Sequence, residues 1–196
     1  MPRISQIFRE TNETTIQAKL NLDGEGQMNG STTVPFFDHM LVQSVKHGGW
    51  DLTLQTRGDT EIDCHHTVED IGIVLGMAIK EALGYKEGIR RYGSSMLPMD
   101  DALVLCSIDL SGRPYLHFDL PLTVPRLGDL DTEMVEEFFR ALSTHAGLAL
   151  HVKKIHGTNN HHIAEAAFKA FGRAIREASS FDANVKGVPS TKGTLT

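Results

Sequence analysis

The sequence predicts an α+β fold made of two repeated halves, each a small β-sheet backed by helices. Two observations carry this prediction: the order of elements, helix–strand–helix after paired strands in each half, and a repeat in the residues themselves. At a spacing of 96 residues, His65–Ala82 and His161–Ala178 share eight identities in 18 positions: His65/His161, His66/His162, Glu69/Glu165, Gly76/Gly172, Ala78/Ala174, Ile79/Ile175, Glu81/Glu177 and Ala82/Ala178. Upstream, at a spacing of 98, Gly49 matches Gly147, and Leu52 and Leu54 are answered by Leu150 and Val152. A helix period alone repeats small apolar residues but not His-His-x-x-Glu. The chain therefore reads as one domain of two pseudo-repeats, about 1–93 and 94–183, with a tail over 184–196.

The elements follow in order. Ile4–Arg9 and Thr15–Leu22 read as strands; in the second, Ile16, Ala18, Leu20 and Leu22 alternate with polar residues, and Asp23-Gly24-Glu25-Gly26 closes it as a turn. Pro35 introduces a helix over Phe36–His47, which Gly48-Gly49 ends. Asp51–Thr56 is a strand. Apolar residues at 68, 71, 75, 78, 79 and 82 mark a helix over Val68–Leu83, stopped by Gly84. Leu103–Leu110 and Tyr115–Leu120 read as a hairpin about Ser111-Gly112-Arg113-Pro114. Asp131 or Thr132 caps a helix to Ala146, Leu148–Val152 is a strand, and Ala164–Ala178 is a helix with one apolar stripe. The tail after Phe181 is polar with Gly and Pro, an ordered loop or a mobile end.

Composition narrows the function classes. The chain has 196 residues, 19 Lys+Arg against 25 Asp+Glu and a net charge of −6, which argues against a nucleic-acid or anionic-membrane binder. Two cysteines, Cys64 and Cys106, without CxxC spacing point away from a disulfide framework and toward a reducing compartment, the cytoplasm. The first residues are too polar for a signal-peptide core, and the most apolar stretch, Ile71–Ile79, is far short of a membrane span. Ten histidines are the unusual feature.

Each His-His-x-x-Glu opens a helix. Residues i and i+4 share a face, so His65 and Glu69 can grip one ion, while His66 is turned about 100° away and should serve another. His161, His162 and Glu165 repeat the arrangement. His39 is carried by the spacing of 98 onto Glu137, which completes eight candidate ligands, four for each of two ions: His39, His65, His66, Glu69, Glu137, His161, His162 and Glu165. Ligands would be shared between halves or between subunits. Imidazole and carboxylate donors without thiolate favour Mn, Fe, Co or Zn over a structural Cys-type zinc site. Cys64 lies beside the cluster but does not point with His65, and His47, His117, His145, His151 and His156 have no assigned role.

At these residues the chain resembles the imidazoleglycerol-phosphate dehydratase family of histidine biosynthesis. The segments that carry the resemblance are Arg9-Glu10-Thr11-x-Glu13-Thr14, Asp38-His39-Met40-Leu41, Asp63-Cys64-His65-His66-Thr67-Val68-Glu69-Asp70-Ile71-Gly72 and Met99-Asp100-Asp101-Ala102. Ser111-Gly112-Arg113-Pro114, Glu137-Phe138-Phe139, the run from Asn160-His161-His162 through Glu165 to Phe171, and Ser190-Thr191-Lys192-Gly193 complete the set. The resemblance implies a ribosomal-protein-S5-domain-2-like repeat fold, two Mn2+ per active site, sites at subunit boundaries and a homo-oligomeric shell of 24 subunits built from trimers. Some relatives carry His at position 137, and some carry a fused phosphatase domain for which 196 residues leave no room.

The implied reaction removes water from imidazoleglycerol phosphate to give imidazoleacetol phosphate, with metal ions polarising the substrate ring so that electron push expels the hydroxyl. Glu13 matches the family's acid/base carboxylate, and Gln43 and Asp100 would orient substrate hydroxyls or metal water. Arg91, Arg113, Lys169, Ser190, Thr191 and Lys192 match its phosphate-binding positions, whereas Arg90 reads as surface. Two rivals are a two-metal hydrolase of phosphates or amides and a non-catalytic metal-binding shell protein.

Overall fold

The computed structural model describes residues 2–195. The first half contains β1 (Ile4–Glu10), β2 (Thr14–Asn21), β3 (Met28–Ser31), α1 (Pro35–Gly48), β4 (Asp51–Gly58) and α2 (His65–Leu83). The second contains β5 (Tyr92–Met99), β6 (Ala102–Asp109), β7 (Tyr115–Asp119), the short pair β8 (Arg126–Leu127) and β9 (Leu130–Asp131), α3 (Glu133–Ala146), β10 (Ala149–His156) and α4 (Asn160–Ser179). The main sheets have one topology: β1-β2-β4-β3 and β5-β6-β10-β7, with the last strand of each parallel to its neighbour and the others antiparallel. β3–α1–β4 and β7–α3–β10 are thus equivalent parallel crossovers.

The alternation read in the strands buries one face of each sheet. Ile16, Ala18, Leu20, Leu52 and Leu54 line the first, and Val104, Cys106, Leu150 and Val152 the second. α2 lies on β1 and β2 and α4 on β5 and β6, while α1 packs against α4 and α2 against α3. The four helices therefore fill the space between the sheets. Phe37, Phe138, Phe139, Phe168 and Phe171 meet there fully buried, with ring centroids 5.0 Å apart for Phe37–Phe138 and Phe139–Phe168.

The repeated glycines have a shared task in this packing. A Cβ on Gly76 would lie 2.6 Å from the Leu142 carbonyl oxygen, and one on Gly172 would overlap the Ser44 carbonyl oxygen. Ser44 and Leu142 are themselves repeat equivalents, so each half's long helix lets the other half's short helix approach closely at the same point. Gly49 (φ 69°) and Gly147 (φ 63°) end α1 and α3 in the left-handed conformation that glycine adopts without strain.

The structure corrects the hairpin expected over 103–120. β6 and β7 are not neighbours: β6 pairs with β5 and β10, and β7 lies beyond β10, parallel to it. The Ser111–Pro114 loop turns the chain, but a turn signal does not say which strand the next segment joins. The hairpin that forms is β5–β6, closed by Asp100-Asp101. At the start of α3, Thr132 occupies the cap position without a side-chain cap, since its hydroxyl donates to the Val124 carbonyl 2.7 Å away, and Asp131 pairs with Arg126 instead.

Candidate metal centre and active site

The α1–α4 crossing fixed by Gly172 brings residues of both halves together. His39, on the second turn of α1, and His161 and Glu165, at the start of α4, place their ligand atoms within 4.8 Å of one another. Both imidazoles use Nε2: His39 Nε2 lies 3.2 Å and His161 Nε2 3.0 Å from Glu165 Oε2. Lys169 Nζ holds the other carboxylate oxygen, Oε1, at 2.6 Å. Burial pushes the Glu165 carboxyl up, but Lys169 outweighs it with help from His161 and His39, so the group is held below the ordinary glutamate value. Phe36 stands edge-on to His39 and His161 and limits their rotation. Two imidazole nitrogens and one carboxylate oxygen converging on one point suit a first-row divalent ion, with further positions open. Gln43 Nε2 is 3.5 Å from His39 Nδ1, one turn along α1.

The second histidine of each pair faces elsewhere and is held by an aspartate. Asp59 Oδ2 is 2.9 Å from His66 Nδ1, and Asp101 Oδ1 is 2.7 Å from His162 Nδ1, which leaves each Nε2 free as a ligand. The Asp59 hydrogen bond raises the His66 pKa. Asp101 also accepts the Thr158 and Asn159 amides at 2.8 and 3.1 Å; these bonds and His162 hold its carboxyl well below the usual range. The Asn159 side chain in turn caps α4 on the His161 and His162 amides. Neither aspartate was singled out as a site residue in the sequence. Asp101 sits inside a segment that carries the family resemblance, whereas Asp59 has no sequence signal at all.

Equivalent hairpin tips bring a carboxylate to each free nitrogen. Glu13, between β1 and β2, has Oε1 3.7 Å from His66 Nε2; Asp100, between β5 and β6, has Oδ2 3.6 Å from His162 Nε2. Asp70 of α2 anchors the first tip, pairing with Arg9 at 2.9 Å and accepting the Thr14 hydroxyl. The remaining candidate ligands do not gather. His65 Nε2 and Glu69 Oε2 are 3.8 Å apart on the open face of α2, each side chain 45% exposed, and Glu137 of α3 pairs with Arg140 at 3.6 Å. Among the described residues, His39, His161 and Glu165 form the one group of three. Cys64 is buried against Asp131, and burial pushes its thiol pKa up, so it is placed as a core residue.

The phosphate-site candidates divide in the same way. Lys169 belongs to the three-residue cluster and also reaches Met99 Sδ at 3.4 Å, at the end of β5. Arg91 lies at the other end of that strand, bound to Asp109 (2.7 and 3.1 Å) and to the Pro189 carbonyl (3.0 Å), which holds the Ser190-Thr191-Lys192 segment near it. Leu110 N donates to Arg91 O at 3.1 Å, which brings the loop carrying exposed Arg113 to the same end. Seven strand residues separate the two groups, about 23 Å. The tail is ordered over its described length: Lys86 Nζ donates to Leu110 O and Leu195 O at 3.0 and 3.3 Å, and Leu195 is buried.

Comparison with known proteins places this geometry. Residues 32–175 match the family described as imidazoleglycerol-phosphate dehydratase. The chain is similar to the imidazoleglycerol-phosphate dehydratase of Acetivibrio thermocellus, 58% identical over 195 residues and covering 100% of both chains. Among solved structures, it resembles the Staphylococcus aureus enzyme (39% identity, TM-score 0.83, covering 91% of this chain and 99% of that one). The Pyrococcus furiosus structure is similar at 36% identity and TM-score 0.83, covering 96% of this chain and 100% of that one.

Proposed function

The chain belongs to the imidazoleglycerol-phosphate dehydratase family of hydro-lyases, and from that premise we propose that it converts imidazoleglycerol phosphate to imidazoleacetol phosphate and water with bound divalent metal, Mn2+ by choice. The observation that carries the metal reading is the convergence of His39, His161 and Glu165 within 4.8 Å, with two further histidines held by aspartates so that one ring nitrogen stays free. Residues His39, His161 and Glu165 would hold one ion, and His65, Glu69, His66, His162 and Glu137 would contribute to two-ion sites completed by other copies. When bound, the metal supplies Lewis acidity that makes the substrate's imidazole a better electron relay for loss of the neighbouring hydroxyl.

The chain's own groups handle protons and position. Glu13, 53% exposed at its hairpin tip, is placed to take the proton from the substrate carbon, and Asp100 and Gln43 to orient hydroxyls beside His162 and His39. Arg113, Lys192, Ser190 and Thr191, with Arg91 behind them and Lys169 at the metal cluster, would receive the phosphate. The separation of about 23 Å between the ends of β5 exceeds the reach of one small substrate, which supports a composite site in which one copy supplies the metal cluster and another the Arg91–Lys192 end. Assembly into a shell of 24 subunits from trimers, in the cytoplasm, completes this reading. No helix among the described residues is long and apolar enough to cross a membrane.

The test incubates the protein, stripped and then reloaded with manganese, with imidazoleglycerol phosphate. Imidazoleacetol phosphate product in the reloaded form only is expected, with Glu13→Gln keeping metal but losing turnover. No product in any metal state would overturn the proposal.

A further inference from the structure

The loop between α2 and β5, residues 84–91, is the seat of the chain's tail. Arg91 N donates to the Ala178 carbonyl and Arg90 N to the Ser180 carbonyl, each at 2.9 Å. Ile89 bridges to Phe181, and Gly88 both accepts the Asp182 amide at 2.9 Å and donates to the Gly187 carbonyl at 2.8 Å. Further on, Ser190–Gly193 folds into a turn of its own: Lys192 N donates to Ser190 Oγ at 3.2 Å and Gly193 N to the Ser190 carbonyl at 3.0 Å. Thr191 and Lys192 are exposed on this turn. A cation of the 84–91 loop grips the chain on either side of it, Arg91 on the Pro189 carbonyl at 3.0 Å and Lys86 on the Leu195 carbonyl at 3.3 Å.

Lys86 is an unusual residue for its setting. It is only 6% exposed, and its Nζ also donates at 3.0 Å to the carbonyl of Leu110, the residue before the Ser111–Pro114 loop. Among the described residues no carboxylate pairs with it, because both oxygens of Asp109 are held by Arg91. Burial, and then Lys80, push the Lys86 pKa down, and Asp109 offsets only part of this. A buried ammonium on two neutral carbonyls is costly where an apolar side chain would fill the same space. Packing alone therefore does not call for a charge here. The backbone points the same way: Lys86 (φ 59°) and Arg91 (φ 72°) are two of the four non-glycine residues in the left-handed region among those described. Such conformations cost energy and persist only where the surroundings over-determine them.

We propose that Lys86 is a positioning residue for substrate binding: by joining the Leu195 carbonyl to the Leu110 carbonyl, it fastens the far end of the Ser190–Gly193 turn to the loop that carries Arg113. Arg91 fixes the near end of the turn and Lys86 the far end, so Ser190, Thr191 and Lys192 are held beside Arg91 and Arg113 in one arrangement. With one end released, the turn would sample many positions, and a ligand would have to order it on binding. The inference rests on the phosphate role given to this end of the molecule above. Lys86 itself touches no substrate.

The experiment compares the manganese-loaded full chain with Lys86→Met, with a chain ending at Thr194, and with both changes together. Hydrogen exchange read by mass spectrometry should quicken about tenfold over residues 188–194 in each single variant. Both changes remove the same bond, so together they should add nothing further. KM for imidazoleglycerol phosphate should rise about tenfold, with kcat and Mn2+ affinity retained. The shortened chain keeps Lys86 and its bond to Leu110, and so decides the question even if Lys86→Met misfolds. Unchanged exchange in both single variants would overturn the inference, as would additive effects in the combined variant. Faster exchange with an unchanged KM would also overturn it, leaving Lys86 a fastener of the tail alone. No product from the unaltered chain would count instead against the reaction proposed above, and inorganic phosphate would then replace the substrate. Phosphate should slow exchange over 188–194 in the unaltered chain but not in the variants; equal slowing in all of them would overturn the inference.

Discussion

Replacing Gly172 with alanine tests how the helix crossing builds the candidate metal cluster. Alanine gains about 1 kcal/mol of helix propensity over glycine. Against this, its Cβ would overlap the Ser44 carbonyl oxygen and lie 3.0 Å from the Gly48 amide, both backbone atoms that cannot turn aside. Overpacking of this kind costs about 1–3 kcal/mol. Pushing α1 away also breaks the 2.8 Å bond from Ser44 Oγ to the Phe168 carbonyl, about 1 kcal/mol more. The net expectation is destabilisation of about 2 kcal/mol, or a Tm lower by about 4–8 °C for a chain of this size. The same displacement carries His39 away from Glu165 while His161, on the same helix as Glu165, stays in place. Manganese affinity, measured by electron paramagnetic resonance of free Mn2+, should fall about tenfold, the equivalent of roughly 1.4 kcal/mol of lost ligation. Ser44→Ala serves as the control: it loses the hydrogen bond without moving α1, so Tm should drop slightly with metal binding intact. A raised Tm for Gly172→Ala, or equal loss of metal affinity in both variants, would refute the reasoning.

Other outcomes follow from the same geometry. Asp101→Asn and Asp59→Asn should each weaken manganese binding about 10–100-fold in the same titration, because the Nδ1 partner that orients His162 or His66 is impaired; unchanged affinity would remove both aspartates from the centre. Glu165 has a depressed folded pKa, so its stabilising contribution is complete above the unfolded value near 4.5 and is lost as pH falls through the folded value. Thermal melts of metal-free protein below pH 5 should therefore be steeper in pH for the wild type than for Glu165→Gln, and parallel curves would contradict the Lys169 pairing. Deleting the residues after Pro189 should raise KM sharply in steady-state kinetics, since Ser190–Lys192 are placed with Arg91; an unchanged KM would separate the tail from phosphate binding.

Strong periodicity was readable from single segments. The alternation of Ile16, Ala18 and Leu20 and the stripe of α2 recur in the structure because each element buries one face whatever its partner. β3 and β5 were not legible. Met28–Ser31 is a short parallel edge strand with three exposed residues, and the buried positions of β5 include the small residues Gly93 and Ser95, which carry no hydrophobic signal. The false hairpin at 103–120 has the same origin: local residues specify a turn, while pairing partners are chosen by the whole sheet. Among the site residues, the His-His-x-x-Glu spacing announced which side chains share a helix face, but Asp59 carried nothing to distinguish it from any loop aspartate.

By itself, then, the sequence determined the two-half plan and which histidines and glutamates share a helix face, because repeats and helical spacing are local or internal comparisons. Only the tertiary structure decided that His39 joins His161 and Glu165 rather than His65 and Glu69, that aspartates orient the second histidines, and that the candidate phosphate-site cations sit at opposite ends of β5. These depend on how closely α1 and α4 cross, and that approach is set by a backbone contact at Gly172 more than a hundred residues from His39. Distances across such a gap follow from packing, which residue spacing along the chain does not encode.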